Sequence, residues 1–224
     1  MNKPYVLDLY CCQGAASRGY ELAGFEVMAG VDIDPQPRYP YSFVQHDALA
    51  VLEVLVHRGE LARSGRPKLI HAAPPCQAKT KCQKIQGREH PKLIGPTREL
   101  LIATGIPYVI ENVVPENRAL DDDPLKNPMM LCGAMFPGLN TYRHREFESS
   151  IPLTAPEHPE HLEPTVKMGR PLVEGNWYHA VGNFSNVPYV RANMGVPWMT
   201  RDGVRECTPP VYTEWIGRQI LAAL

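Results

Sequence analysis

The stretch HAAPPCQAKTK, residues 71–81, ends an apolar run with two prolines and then Cys76. Rigid prolines would hold the sulfur of this cysteine at one point in space, which a cysteine placed for packing does not need. Glu111 opens the segment ENV at the end of another apolar run. A thiolate and a nearby carboxylic acid suit conjugate addition to a pyrimidine, in which sulfur attacks carbon 6, the acid assists at nitrogen 3, and carbon 5 becomes nucleophilic. The alternatives are a buried packing cysteine and a glutamate that caps a helix.

Three acids and a tight turn form a second candidate site at the ends of earlier apolar runs. Gly14 and the small residues after it let the chain turn into a helix beside a ligand. Asp32 and Asp34 follow Gly14 by 18 and 20 residues, where a carboxylate can accept hydrogen bonds from ribose hydroxyls. Asp47 could bind an adenine amino group. Together these positions describe a nucleoside-shaped pocket, although each acid alone could instead cap a helix.

The turn lacks the glycines that bind a pyrophosphate. Cys12 stands where the first glycine of a GxGxxG fingerprint would lie, and no second helix-entry glycine follows at the right spacing. S-adenosylmethionine has no phosphate and needs only adenosine contacts and room for a methionine tail, so the turn favours this cofactor over NAD. A thiol oxidoreductase that uses Cys11 and Cys12 is disfavoured, because adjacent cysteines are not the CxxC redox arrangement.

A basic stretch follows Cys76. In it a single acid, Glu89, stands among six basic side chains: Lys79, Lys81, Lys84, Arg88, His90 and Lys92. A solvated loop is the ordinary interpretation of such a run. Its position directly after the candidate nucleophile favours contact with phosphates instead.

The elements that would position these residues alternate between strands and helices in the first half of the chain. Strands are predicted at 5–10, 25–34, 43–47, 68–73 and 107–113, and helices at 14–24, 48–59 and 97–105. This alternation predicts βαβ units and a parallel sheet. Ligands of such sheets bind beyond the carboxyl ends of the strands, so we expect Cys76 and Glu111 on one rim.

The second half of the chain is less regular. Further strands are predicted at 129–136 and 143–149, and a C-terminal helix begins near Thr208 and the two prolines that follow it. Between these elements, residues 151–202 are proline-rich and poorly periodic, which indicates a small irregular lobe or a long packed excursion.

The composition restricts the class of protein. The 224 residues are enough for one sizeable core. No apolar run approaches the roughly 18 residues of a membrane helix, and the N-terminus does not resemble a signal peptide, so we expect a cytoplasmic protein. The six cysteines include no CxxC pair, and no histidine lies at zinc-finger spacing from them, so no metal site is predicted. A net charge of −1 does not by itself indicate a nucleic-acid-binding protein.

Taken in order along the chain, these motifs resemble those of the cytosine-5 DNA methyltransferase family. The pair PPCQ and ENV is the most specific part of the resemblance. The matches span nearly the whole chain: DLYCCQGAASRG (8–19), GVDID (30–34), HDAL (46–49), PPCQ (74–77), ENV (111–113), RHR (143–145) and PPVYTEWIG (209–217). The chain departs from the family at Cys12 and Ala15, where glycine is usual, and it has RECTPPVY in place of a Gly-Asn signature before the last helix.

The resemblance implies a catalytic role for each of several residues. Cys76 would form the covalent bond to carbon 6 of cytosine, and Glu111 would contact nitrogen 3 and the exocyclic amine. Arg145 or Arg143 would contact the base oxygen. The segment after Cys76 would close on DNA, with the target cytosine flipped out of the duplex. Its nucleic-acid contacts would come from Gln77, Lys79, Lys81, Lys84 and Arg88.

The resemblance also implies S-adenosylmethionine as the cofactor. Asp32 would bind its ribose, Ile33 would pack on its adenine, and Asp47 would hold the adenine amine. The remaining cofactor contacts would come from Asp8, Tyr10, Cys11, Cys12, Gly14 and Pro74.

The implied architecture is α/β, a Rossmann-like methyltransferase fold with a mostly parallel central sheet and a small irregular C-terminal insertion. Residues 1–150 and 203–224 would form the catalytic domain, and 151–202 a reduced target-recognition region. DNA is the expected substrate, with RNA or a free cytidine nucleotide as alternatives, and an inactive nucleic-acid-binding relative as a further one. We expect a monomer with no membrane or metal partner.

Overall fold

The computed structural model describes residues 3–58, 65–75 and 91–224. Seven strands and six α-helices lie in these ranges. The strands are β1 (Tyr5–Leu9), β2 (Glu26–Asp32), β3 (Phe43–Gln45), β4 (Leu69–Ala72), β5 (Tyr108–Val113), β6 (Met129–Leu131) and β7 (Arg145–Ser149). The helices are α1 (Ala15–Ala23), α2 (Ala48–Arg58), α3 (Ile94–Thr104), α4 (Val187–Met194), α5 (Arg201–Glu206) and α6 (Pro210–Ala223). None of these helices is long and apolar enough to cross a membrane.

All seven strands form one sheet in the order β3-β2-β1-β4-β5-β7-β6. Strands β1 to β5 pair with one another in parallel, whereas β7 runs antiparallel to both β5 and β6. The prediction of a mostly parallel sheet is therefore confirmed. The strand order changes direction between β1 and β4, and ligands of open α/β sheets bind at the crevice that such a change creates.

Helices cover both faces of the sheet, which explains why β1 and β4 are buried along their length without alternation. On one face α1 and α6 pack on the sheet through a cluster that includes Tyr20, Tyr212 and Ile216. On the other face the core includes Leu52 of α2 and Leu101 of α3. The sheet is thereby held rigidly between two cores, and its carboxyl edge is a fixed platform for a site.

The predicted helix ends are confirmed where the residue that ends the helix lies next to it in the sequence. Gly24 and Gly105 are left-handed C-caps of α1 and α3, with φ of 118° and 66°, as predicted. Helix α3 begins at Ile94 rather than at the predicted 97, because the Asp123 carboxylate accepts hydrogen bonds from the backbone N–H of Ile94 (2.9 Å) and of Gly95 (2.8 Å). That capping acid lies far along the chain, so the sequence near the helix did not indicate it.

The remaining differences concern short elements. The predicted strands at 43–47 and 129–136 are only three residues long, Phe43–Gln45 and Met129–Leu131. The C-terminal helix begins at Pro210, with proline in its first turn as predicted, but its N-cap residue is Pro209 instead of Thr208. The irregular insertion is confirmed, but it contains α4, which the sequence did not predict. This helix has eight residues and buries only Val190 and Met194, so its apolar period is too short to recognise.

Candidate active site

A cavity of about 230 Å³ opens at the carboxyl ends of β1, β2, β4 and β5. One part of its wall is formed by the loop between β1 and α1 and by the end of β2. The opposite part is formed by side chains of β5 and β7 and by the residues that precede α6. Pro74 and Pro75, at the end of β4, line the wall between the two parts. Among the polar residues of this edge, Asp8, Asp32, Glu111 and Arg145 line the cavity.

The β1–α1 loop has an unusual backbone. Tyr10 and Cys12 adopt left-handed conformations, with φ of 56° and 46°, and Gly14 at the start of α1 has φ of 82°. Such conformations cost a non-glycine residue about 1 kcal/mol or more, which explains why glycine is the usual residue for such a turn. The backbone N–H of Cys12 donates to the Asp32 carboxylate at 2.9 Å. This bond holds the loop against the end of β2 and keeps both Cys12 and Asp32 in the cavity wall.

Asp8 is a buried carboxyl group in the same wall. One of its oxygens accepts a hydrogen bond from the Ser17 hydroxyl, and the other has no hydrogen-bond partner among the described residues. Burial raises the pKa of Asp8 to about 7, against the lowering effect of the hydrogen bonds from Ser17. A buried acid with one unsatisfied oxygen in a cavity wall is suited to a ligand that brings a hydrogen-bond donor or a positive charge.

Glu111 and Arg145 form a buried ion pair at the opposite wall. They come from adjacent antiparallel strands, β5 and β7, and Arg145 Nε lies 2.7 Å from Glu111 Oε1. The Arg145 side chain is only 11% exposed and the Glu111 side chain 9%. The Nε–H group of Arg145 is not aligned for a hydrogen bond to Glu111 Oε1. This carboxylate oxygen therefore has no hydrogen-bond partner in the described part of the chain. Burial raises the pKa of Glu111, although Arg145 and a hydrogen bond from Thr208 act to lower it.

The two prolines before Cys76 are tied to β5. Strands β4 and β5 are parallel neighbours with Ala72 opposite Ile110, as the rim prediction required. Just beyond the paired residues, the Asn112 side-chain amide donates to the Pro74 carbonyl at 3.0 Å. The segments that carry PPCQ and ENV are thus joined directly. Cys76 itself lies outside the described residues, as do the predicted nucleic-acid contacts Gln77, Lys79, Lys81, Lys84 and Arg88.

Comparison with known proteins gives a structural likeness and no sequence match. No family model matches the sequence, and no curated protein matches it. A crystal structure described as a DNA modification methyltransferase encoded within an E. coli prophage superposes with a TM-score of 0.67 at 15% identity, covering 99% of both chains. The chain has a Rossmann-like methyltransferase fold.

Two other solved structures share parts of the chain. S. pombe Dnmt2 methyltransferase is 17% identical, with a TM-score of 0.44 over 65% of this chain and 48% of its own. A mutant of Spodoptera frugiperda DNMT2 is 20% identical, with a TM-score of 0.40 over 65% of this chain and 49% of its own. At these scores the two likenesses add nothing to the assignment of the fold.

In this methyltransferase fold, the two candidate arginines lie in different environments. Arg143 is buried, and its guanidinium donates to the carbonyl oxygens of Cys207 (2.8 Å), Ala180 (3.1 Å) and Arg205 (2.7 Å). These contacts join the start of β7 to the chain before α6, and Arg143 is not part of the cavity wall. Arg145 lines the cavity. The site can therefore use Arg145 for a ligand, and Arg143 stabilises its surroundings.

Of the remaining residues predicted to bind the cofactor, some line the cavity and others do not. Ile33 is 68% exposed at its rim, and Cys11 lines it. Gly14 lies outside the lining, with the Tyr39 ring so close that a Cβ atom would come within 2.9 Å of it. Asp47 also lies outside the lining and accepts a hydrogen bond from the Leu49 backbone N–H at 2.8 Å, so it caps α2. Its predicted contact with adenine stays a prediction.

The residues whose hydrogen bonds hold the β1–α1 loop in place were not predicted from the sequence. The Gln13 amide oxygen accepts from the Thr200 backbone N–H at 2.8 Å, and its nitrogen donates to the Thr200 hydroxyl at 2.9 Å. The indole N–H of Trp198 donates to the Gln13 carbonyl at 2.7 Å. The 151–202 segment thus ends by bracing the loop that lines the cavity. No local pattern could indicate contacts over such a sequence distance.

Proposed function

We propose that this protein transfers a methyl group from S-adenosylmethionine to carbon 5 of cytosine in DNA, through a covalent bond between Cys76 and carbon 6. The proposal depends chiefly on one observation. A single cavity has Asp8 and Asp32 in one wall and the buried pair of Glu111 and Arg145 in another, with the prolines that precede Cys76 between them. That arrangement suits a nucleoside-containing cofactor and a pyrimidine placed side by side.

The residues at the cofactor end fit S-adenosylmethionine. Asp32 offers a carboxylate for ribose hydroxyls, and the exposed face of Ile33 is available to an adenine ring. The unsatisfied oxygen of Asp8 fits the positively charged methionine portion, because a positive charge favours the ionised form of this acid. When bound, the cofactor supplies an electrophilic methyl group.

The residues at the opposite end fit a cytosine ring. The raised pKa of Glu111 favours a carboxyl group that gives its proton to ring nitrogen 3 as the Cys76 thiolate adds to carbon 6. Arg145, which lies against Glu111, would hold the base oxygen and stabilise the negative charge that develops on the ring. After carbon 5 has gained the methyl group, its remaining proton would pass to solvent, ring nitrogen 3 would return its proton to Glu111, and the Cys76 sulfur would leave as a thiolate, which restores the aromatic ring.

The choice of DNA is the finer part of the proposal. The basic residues after Cys76 favour a polymer with phosphates, and residues 151–202 would then contribute target recognition beside a catalytic domain formed by 1–150 and 203–224. The near-neutral net charge and the short 151–202 segment favour the alternatives, RNA or a free cytidine nucleotide. A single labelling experiment distinguishes DNA, RNA and a cytidine nucleotide as substrates.

The decisive experiment incubates the purified protein with methyl-labelled S-adenosylmethionine and, separately, with duplex DNA, single-stranded DNA, RNA and cytidine nucleotides. Nucleoside mass spectrometry then locates the label. We expect 5-methylcytosine in DNA, none with Cys76→Ser, and wild-type yield with the matched control Cys82→Ser from the same segment. Cofactor binding should persist in Cys76→Ser. An active serine variant, or label on an atom other than carbon 5, would contradict the proposed mechanism.

A further inference from the structure

Four side chains with metal-ligand chemistry converge outside the cavity described above. They form what we call the Cys–His cluster: Cys132, His144, His158 and His161. One possible ligand atom from each lies within 4.8 Å of those of all the others. None of the four lines the candidate active site.

The closest distances in the Cys–His cluster match those of a tetrahedral metal site. Cys132 Sγ lies 3.3 Å from His161 Nε2, and His144 Nε2 lies 3.4 Å from His158 Nε2. Zinc–nitrogen bonds of about 2.0–2.1 Å and a zinc–sulfur bond of about 2.3 Å give tetrahedral edges of about 3.3–3.6 Å. The nitrogen–nitrogen edge therefore already has the required length, and the sulfur–nitrogen edge is short by about 0.2–0.3 Å. All four ligand atoms lie within 4.8 Å of one another.

The sheet brings two of the ligands together. Strands β6 and β7 pair with Leu131 opposite Arg145, so the next residues along the ladder are Cys132 and His144. Gly133 makes this approach possible, because a Cβ atom there would lie 1.8 Å from the Thr141 carbonyl oxygen. The backbone N–H of Gly133 donates to the Tyr142 carbonyl at 3.1 Å, which extends the pairing beyond the strands.

The other two ligands come from the HPEH segment, 158–161, and aromatic packing orients one of them. The Tyr142 ring stacks on the imidazole of His161, with centroids 3.7 Å apart and planes inclined by 19°, and Trp177 packs on Tyr142 at 4.6 Å. The Tyr142 hydroxyl also accepts from the Glu163 backbone N–H and donates to the Glu163 carbonyl, both at 2.8 Å. The chain beside His161 is thus anchored by its own contacts, as preorganised metal ligands require.

We propose that the Cys–His cluster binds one Zn²⁺ ion with all four protein side chains. A thiolate and three imidazoles are the ligand set that selects zinc over magnesium or calcium, and four protein ligands leave no open position for catalysis. Binding would release the thiol proton of Cys132 to solvent. The sequence prediction of no metal site considered only zinc-finger spacing, whereas these ligands come from three separate segments.

The proposed ion would be structural and close to the candidate active site. It would join the start of the 151–202 segment to the β6–β7 edge. His144 precedes Arg145 in the chain, and the Arg145 guanidinium donates to the His144 carbonyl at 2.9 Å. The metal would therefore also restrict the backbone that presents Arg145 to the cavity.

Metal analysis of the full chain tests the proposal without any activity assay. Protein stripped with a chelator is titrated with Zn²⁺, and separately with Co²⁺. We expect one equivalent of zinc to bind, with a rise in Tm of about 5–10 °C at a hundredfold excess of ion over Kd. Cobalt should give the visible absorption of a tetrahedral site together with a thiolate-to-metal charge-transfer band.

Variants locate the site. His158 and His161 are exposed, so His158→Ala and His161→Ala should fold and should each weaken zinc binding by at least about 100-fold. Cys132→Ser should remove the charge-transfer band. The matched control is His57→Ala, an exposed histidine on α2, which should bind zinc like the wild type. A wild-type chain that binds no zinc, or histidine variants that keep full affinity, would overturn the proposal, in either case independently of methyl transfer.

Discussion

Glu111 is the residue whose environment bears most directly on the proposed chemistry. It is buried beside Arg145, and burial raises its pKa. A carboxyl group in this state can give a proton to ring nitrogen 3, whereas an amide can only form a hydrogen bond there. The side chain therefore has two separable functions, binding the base and supplying a proton.

Replacing Glu111 separates these functions. We expect Glu111→Gln to lower kcat by about 10²–10⁴-fold, the scale for loss of acid–base assistance, with little change in the Kd for S-adenosylmethionine. Single-turnover rates and isothermal titration provide the two measurements. Glu99→Gln, an exposed glutamate on α3, is the control and should keep the wild-type rate. An unchanged rate in Glu111→Gln would mean that another group handles nitrogen 3.

Asp8 makes stability depend on pH in an unusual direction. Its pKa is about 7 in the folded protein against 3.8 as the ordinary value, so the folded chain keeps a proton that the unfolded chain loses between these limits. The stability that protonated Asp8 contributes is therefore fully present below about pH 4 and is lost as the pH rises to about 7. Burial lowers the pKa of His71 to about 3, which acts in the opposite direction between about pH 3 and 6.5.

The variant Asp8→Asn isolates the contribution of Asp8, because His71 is present in both proteins. We expect the unfolding free energy of the wild type, relative to the variant, to fall between pH 4 and 7 by up to about 1.4 kcal/mol per pH unit. Denaturant titrations at several pH values measure it. A difference that stays constant over this range would show that Asp8 is ionised throughout.

At the scale of elements, the contact between α1 and α6 is unusually close. A Cβ atom at Gly19 of α1 would lie 2.0 Å from the Thr213 hydroxyl oxygen and 2.1 Å from the Pro210 carbonyl oxygen. At Gly217 of α6 it would lie 2.7 Å from the Ala23 methyl group. Both helices therefore pack backbone against backbone on one face of the sheet, which is how α1 is held beside the cavity.

The substitution Gly19→Ala tests this packing by the sign of its effect. In an open helix the change would stabilise the protein by up to about 1 kcal/mol. Here we expect a loss of at least about 2 kcal/mol in the free energy of unfolding, because the contacted atoms include backbone that cannot move cheaply. Leu22→Ala, at a half-exposed position on the same helix, should cost much less. Stabilisation by Gly19→Ala would show that the helices can separate without cost.

At the scale of the whole molecule, a net charge of −1 provides little general attraction to nucleic acid. Phosphate contacts would have to come from the basic residues after Cys76. If three or four of these contact phosphates, affinity for duplex DNA should fall about 100-fold between 50 and 200 mM salt. Fluorescence anisotropy with labelled duplexes measures this dependence.

Charge variants show where the salt dependence arises. Lys79→Gln and Lys81→Gln should each reduce the slope of log affinity against log salt by about 1. Lys68→Gln should leave the slope unchanged, since Lys68 is exposed beside the amino end of β4, at the edge of the sheet opposite the cavity. Salt-independent binding would favour a cytidine nucleotide over a polymer as the substrate.

The sequence alone determined the order of strands and helices from β1 to β5, the parallel sheet, and that the prolines of PPCQ follow β4 while ENV lies on the neighbouring strand β5. It could do so because apolar periodicity and glycine stops act over a few residues, and parallel strands present their carboxyl ends to one edge. Tertiary structure alone decided that Arg145 rather than Arg143 lines the cavity, that Asp123 caps α3, and that the Cys–His cluster assembles. Those outcomes depend on contacts between residues far apart in the chain, which no local pattern records.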